Sequence, residues 1–494
     1  MTALLTVAAF LLMAWDASRR NRQPLVVLAG LGLLGLSFTA HVVSGNGLLQ
    51  TTSSLLAETG LGLVLAALVM LVRRATARPF LVLGLLSLLL SGLVQGGMRL
   101  FGADTTGETE TASFLLELGP DDHIAEVQAV LDRYAARAEQ AFPSLSQATE
   151  ADLAQVYLVH APAHTHESLM ADLGRDAENV DFVEPNDAVS LDPQAGAALP
   201  ERTPVGVQAN DPMIGQQWAM EAIHGHEAHA FLKTATPTRK AVVAILDTGV
   251  EGRHADLGGV FGNSPASDDQ HGHGTHCAGI AGAATNNGTG IASLNWEGRF
   301  VEVRGYRALN ERGFGTTETI AQAVIDATQA GVDVISMSLG DAAPIPPRVM
   351  VEAVQYALRK GVIVVTSAGN ANQDAARHMP SNIEGVIVVA AVDQQLAKAR
   401  FSNTNTSLQR PIAAPGVDIL SLKPGGTYVP MSGTSMATPM VAGLIGVMRT
   451  LQPDLSAEQA WQTLHDTGTT VPATDQVGRV INAAAALQHT PSPL

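Results

Sequence analysis

The stretch HGHGTHCAG, His271 to Gly279, places three histidines and the chain's only cysteine within seven residues. Two chemistries are open to it. The imidazoles, with Asp268 and Asp269 just before them, could ligate zinc, and His224, His226, His229 and His254 add further donors. Alternatively, one imidazole serves as general base for a nucleophile elsewhere. A zinc site needs three or four convergent ligands, with an open position if it is catalytic. The helical H-E-x-x-H spacing is absent, and a single cysteine gives neither a thiolate knuckle nor an intrachain disulfide.

Three more polar residues stand where apolar runs stop. Asp247 closes AVVAILD, Asn370 follows Ser367-Ala368-Gly369, and Ser435 lies in SGTSMATP, at the mouth of a small-residue, apolar helical stretch. Pro439 in that stretch suits a first helical turn, where a missing N–H costs little. A helix amino terminus favours negative charge. A lone serine there reads equally well as a helix cap.

The elements that must hold these residues are legible as alternation. Apolar runs at 240–250, 300–309, 331–340, 361–370 and 385–393 are continuous, as in buried strands of a parallel sheet. Helical patterns at 316–329 and 347–359 lie between them. This predicts an α/β domain with helices on both sheet faces and the site at the strands' carboxyl ends.

Upstream, residues 124–140 have helical periodicity, 154–162 and 180–189 read as strands, and 167–175 as a second helix. They predict a small α+β module. The first hundred residues hold four apolar runs, at 2–15, 25–43, 55–72 and 80–94, which predict three or four membrane helices. Arg19, Arg20 and Arg22, and then Arg73, Arg74 and Arg78, place their loops in the cytoplasm by the positive-inside rule. The expected location is therefore a bacterial inner membrane, multi-pass, with a lipid bilayer as partner and the rest of the chain on the periplasmic or extracellular side. The net charge of -17 leaves no basic face for phosphates, so nucleic acid is not an expected partner.

Taken together, ILDTGV, HGTHCAG, TSAGN and GTSMATP resemble the subtilisin-like serine proteases, the subtilases, in the Asp, His, Ser order of that group. The resemblance covers about 211–485. It implies a mostly parallel seven-stranded sheet flanked by helices and an endopeptidase acting on protein or peptide substrates. Ser435 would be nucleophile, His273 base, Asp247 its partner and Asn370 the oxyanion donor. Ser338, Leu339 and Gly340 would line the substrate cleft opposite Gly313, Phe314 and Gly315, with a preference for apolar or aromatic side chains. Asp256 and the loop supplying Asn287, Thr285, Thr289 and Ile291 would bind a structural calcium ion. His276 would be structural. The upstream module would be an inhibitory propeptide, the peptidase's own intramolecular partner.

The expected division is membrane helices over 1–98, a tether over 99–119, the propeptide-like module over 120–189, a linker over 190–210 and the peptidase domain over 211–488. Cutting in the linker would release the peptidase from its anchor. The alternatives are a catalytically silent binding module and, behind it, a zinc hydrolase.

Overall fold

The computed structural model describes residues 111–146, 150–191, 194–195 and 209–490. The upstream module is a four-stranded antiparallel sheet of β1 (Thr111–Leu118), β2 (Arg137–Gln140), β3 (Val156–Pro162) and β4 (Val180–Pro185), in the order β2-β3-β1-β4. Two longer helices, α1 (Ile124–Arg133) and α2 (His166–Leu173), and a single helical turn at Ala151–Ala154 complete it. The strand period of two splits β1 between two cores. Phe114, Leu116 and Leu118 pack with Val127, Leu131, Leu169 and Leu173 of the module's own helices. Leu115 points the other way, into a core shared with the large domain that follows.

Two readings of the module change. β1 lies where composition suggests a tether, and the helix expected over 124–140 stops at Arg133. Ala135 takes φ 51° there and the Ala136 N–H returns to the Leu131 carbonyl, which turns the chain into β2. A left-handed alanine carries no signal in a helix-forming sequence. The chain leaves the module through β5 (Ala188–Ser190) and β6 (Gln194–Ala195).

The large domain is built on β7 (Ala241–Asp247), β8 (Val301–Arg307), β10 (Val334–Met337), β11 (Ile363–Ser367), β12 (Ile387–Val392) and β13 (Pro411–Pro415). All pairs are parallel, in the order β8-β7-β10-β11-β12-β13. Six strands replace the seven expected. Beyond β8 the glycine-rich run Gly258–Gly262 makes only a single-residue bridge, Phe261 beside Val303, in place of a seventh strand.

Alternate residues of β7 feed two cores: Val243 and Ile245 one, Ala244 and Leu246 the other. The first core receives α3 (His273–Gly282) and, further along the chain, α6 (Thr434–Leu451). The second receives α4 (Thr317–Gln329) and α5 (Arg348–Arg359). A short strand, β9 (Phe314–Thr316), precedes α4, and the hairpin β14 (Ile419–Lys423) and β15 (Thr427–Ser432) leads into α6.

The membrane reading is corrected. Among the described residues, no helix is long and apolar enough to cross a membrane. The longest, α6, is buried at every position except Arg449, but inside the α/β core. A helix apolar all round belongs to a large core as readily as to a bilayer, so hydropathy alone does not assign a solvent. The four apolar runs at 2–94 lie outside the described residues. No described helix supports the membrane helices ahead of the core, the bilayer as partner, the membrane-tethered precursor or the multi-pass inner-membrane location, and none of these is carried further.

Candidate active site

Asp247 is the last residue of β7 and His273 the first of α3, and both are buried. The His273 Nδ1–H donates to the Asp247 carboxylate, at 2.8 Å from each oxygen. Burial opposes the charged imidazole, but the carboxylate, then Cys277, outweigh it and hold the His273 pKa well above its ordinary value. The close approach of α3 to the end of β7 depends on Gly274, where a Cβ would lie 2.1 Å from the Gly249 carbonyl oxygen and 3.0 Å from the Asp247 Cβ.

Asp269 fixes the start of α3. Its Oδ1 accepts from the His271 and Gly272 N–H groups and the Thr248 hydroxyl, and its Oδ2 from the Thr275 N–H and hydroxyl. The motif reading missed this positioning role, for which a carboxylate four residues before a helical histidine was the available signal.

Ser435 sits in the first turn of α6 and is buried. Its hydroxyl donates to the Ser338 carbonyl at 3.1 Å, while the Ser338 hydroxyl and Cys277 thiol donate to the Ser435 carbonyl at 2.9 and 3.5 Å. His273 Nε2 is buried without a hydrogen-bond partner. Asp247, His273 and Ser435 therefore converge around Cys277, whose Sγ is 4.0 Å from His273 Nδ1. The serine hydroxyl is turned to Ser338 in this structure, and His273 Nε2 is left unpaired.

Asn370 lines the same cleft as Ser435. Its Oδ1 accepts from the Thr434 N–H and hydroxyl, both at 2.9 Å, which leaves the Nδ2 amide to face outward. The Ser435 N–H lies in a first helical turn, where amides have no intrahelical partner. Ser338, Leu339 and Gly340 form a wall of the cleft, whose volume is about 490 Å³.

Gly313, Phe314 and Gly315 do not line this cleft with them and are already engaged. β9 pairs antiparallel with β5, Phe314 against Ser190 and Gly315 against Val189, and the Leu191 N–H donates to the Gly313 carbonyl. Ser190 and Leu191 then line the cleft with Ser435. β6 resumes alongside β15, with Gln194 opposite Ser432.

The zinc arrangement does not assemble. Asp268 pairs with Arg307, Asp269 is spent on α3, and His276 Nε2 meets the Val429 carbonyl. Burial pushes His276 down to about 3. Among the described residues, Asp247, His273 and Cys277 do bring ligand atoms within 4.8 Å of one another. All three are buried, however, His273 Nδ1 is bonded to Asp247, and burial pushes the Cys277 thiol above its usual pKa. A metal ligand there would need a thiolate.

At the loop expected to bind calcium, Asp256 is buried. Its Oδ2 accepts from the Ile291 N–H at 2.9 Å, its Oδ1 from the Asn287 amide at 3.3 Å, and Asn287 Oδ1 accepts from the Thr289 N–H. Thr285 departs from the set: its hydroxyl donates to Ser293 and its carbonyl accepts from Glu297. Asp211, unforeseen, takes the Asn286 and Asn287 N–H groups on its carboxylate. Burial raises the pKa of both carboxylates, and Asp256 adds to the effect on Asp211.

The Subtilase family pattern matches residues 238–482. The thermophilic serine proteinase of Bacillus sp. (strain AK1) is 44% identical over 213 residues, 42% of this chain and 51% of that protein. Thermitase of Thermoactinomyces vulgaris is 42% identical over 215 residues, 42% of this chain and 74% of thermitase. The chain belongs to the subtilase family. This subtilase is a subtilisin-like serine endopeptidase. In fold it is like fervidolysin from Fervidobacterium pennivorans, a keratinolytic enzyme related to subtilisin. The TM-score is 0.64 at 24% identity, covering 79% of this subtilase and 62% of fervidolysin.

Proposed function

We propose that this subtilase is made as a self-inhibited endopeptidase that cleaves peptide chains bound as an added strand. The observation that carries the reading is the chain's own segment: β5 pairs with β9 and delivers Ser190 and Leu191 into the cleft beside Ser435. An extended peptide gains main-chain hydrogen bonds at such an edge and specificity from the pockets beside it.

Ser435 attacks the carbonyl carbon, and His273 takes its proton and returns it to the leaving amine. Asp247 orients the imidazole and stabilises its cation. The Asn370 amide and the Ser435 N–H meet the oxyanion. The module over 111–190 is the inhibitory propeptide. Its Glu184 carboxylate accepts the Arg348 and Val349 N–H groups at the head of α5, and Asn186 accepts the Glu318 N–H in the first turn of α4. Phe142 and Leu153 share a core with the peptidase domain, so the module is packed on it as well as strung through its cleft. Calcium at Asp256, Asn287, Thr289 and Ile291, with Asp211 close by, would neutralise two buried carboxylates, of which Asp256 has His254 nearby. It would brace the loop and take no part in the chemistry.

The test compares wild type with Ser435→Ala. Wild type is expected to cut itself within residues 190–210, shown by amino-terminal sequencing, then to digest casein and to take a fluorophosphonate on Ser435. The variant should stay full length and inert. Equal processing and turnover by both proteins would overturn the reading.

A further inference from the structure

The cleft that Ser435 and Asn370 line is also lined by a histidine that neither the catalytic motifs nor the mechanism uses. His378 lines this cavity together with Gly340, Asp341 and Gly369. It belongs to a short antiparallel pair in which His378–Met379 lies against Asp341–Ala342, joining the segments that follow β11 and β10. Its ring is wedged between two stretches of backbone. A Cβ on Gly340 would lie 2.5 Å from His378 Cε1, and one on Gly369 2.6 Å from Cδ2. Both glycines also have positive φ, 151° and 96°, so each position combines an unusual backbone with no room for a side chain. The imidazole is thus held rigidly in the wall of the cavity, and its Nδ1 is buried without a hydrogen-bond partner.

A bound peptide whose carbonyl meets Ser435 and Asn370 must send the side chain of that same residue into the space beyond them. This step rests on the assignment of Ser435 as nucleophile and Asn370 as oxyanion donor. The imidazole then acts on that side chain in two ways. It occupies volume that a long or aromatic group would need. It also offers Nε2, which unlike Nδ1 is not buried and which no protein group hydrogen-bonds, so that an apolar group leaves it unmet and a hydroxyl or amide satisfies it. Burial pushes the His378 pKa down to about 4, against the pull of Asp341, so the ring works as a neutral donor and acceptor at neutral pH.

We propose that His378 closes the pocket for the residue on the acyl side of the cleaved bond and selects short hydrogen-bonding side chains, of serine, threonine, asparagine or glutamine type, over aromatic ones. This reverses the apolar or aromatic preference implied by the family resemblance.

The experiment uses the processed enzyme and a set of fluorogenic peptides that differ only at that residue. Wild type should cleave the short polar members with a kcat/KM about tenfold or more above the phenylalanine and tyrosine members. In His378→Ala the aromatic members should rise by a similar factor and the polar members fall. In His378→Phe, which keeps bulk and loses polarity, the polar preference should vanish while the aromatic members remain poor. A wild-type profile that favours aromatic residues overturns the proposal, as does a His378→Ala profile identical to wild type. Fluorophosphonate labelling of Ser435 keeps two failures apart. Labelled, active enzyme with an unmoved profile refutes the selector, whereas unlabelled wild type that cleaves no member refutes the nucleophile. If His378→Ala does not label, the wild-type profile and His378→Phe decide.

Discussion

At the scale of single residues, the site separates groups that do chemistry from groups that aim them. Asn370 is the sharper case, because its carbonyl end is tied to Thr434 and only its amide end is free to act. Asn370→Ala should therefore lower kcat by about 10²–10³ and leave KM nearly unchanged, since the oxyanion exists only along the reaction path. Steady-state kinetics of the processed variant on one peptide checks this, and a loss confined to KM would remove Asn370 from the oxyanion site. The motifs that carry Asp247, His273, Asn370 and Ser435 are legible in the sequence, because each is a short run whose glycines and small residues are there for backbone reasons. Ser338 holding the serine hydroxyl, Asp269 pinning α3 and His378 lining the cleft were not legible as partners. Their roles depend on which backbone comes to lie beside them, and no local pattern encodes that.

At the scale of elements, strands buried on both faces were found within a few residues of their ends, because a continuous apolar run has one comfortable environment. Elements whose identity depends on tertiary partners were missed or misjudged. β13 begins and ends with proline and lies at the edge of the sheet, where proline is tolerated. β1 was hidden in an apparent tether, and β5 exists as a strand only because β9 pairs with it. The loop carrying Asn287, Thr289 and Ile291 is a further case, since Asp256 reaches it from thirty-odd residues upstream. If calcium braces it, saturating calcium should raise the Tm of the Ser435→Ala protein by several degrees. That corresponds to about 2–3 kcal/mol at a hundredfold excess over Kd. Asp256→Ala should abolish the response, and calorimetry with and without chelator measures it. A calcium-insensitive Tm in the parent protein would rule the ion out.

At the scale of the whole molecule, the propeptide-like module and the peptidase domain meet over a seam with too many carboxylates. Glu117 of β1, Asp181 and Glu184 of the module and Glu352 of α5 surround Arg348, which bonds Asp181 and Glu352 at 2.7 and 2.9 Å but comes only within 3.8 Å of Glu117. Glu117 is 2% exposed, and its Oε2 has no hydrogen-bond partner. Burial first, then the charge of Glu352, push its pKa up to about 8, against an ordinary value of 4.5. The folded, docked protein thus binds a proton that the unfolded chain releases near pH 4.5. Stability must fall as pH rises from about 4.5 to about 8 and level off above that, where both states have lost the proton. Glu117→Gln carries a permanent stand-in for the protonated acid. In the Ser435→Ala background it should match its parent near pH 4.5 and be more stable at pH 8, which urea midpoints across that range will show. Parallel curves would mean that Glu117 is ionised in the docked protein and that the seam tolerates its charge. A widening gap would mean that the module's grip weakens through the neutral range, so that an alkaline shift favours undocking of the module.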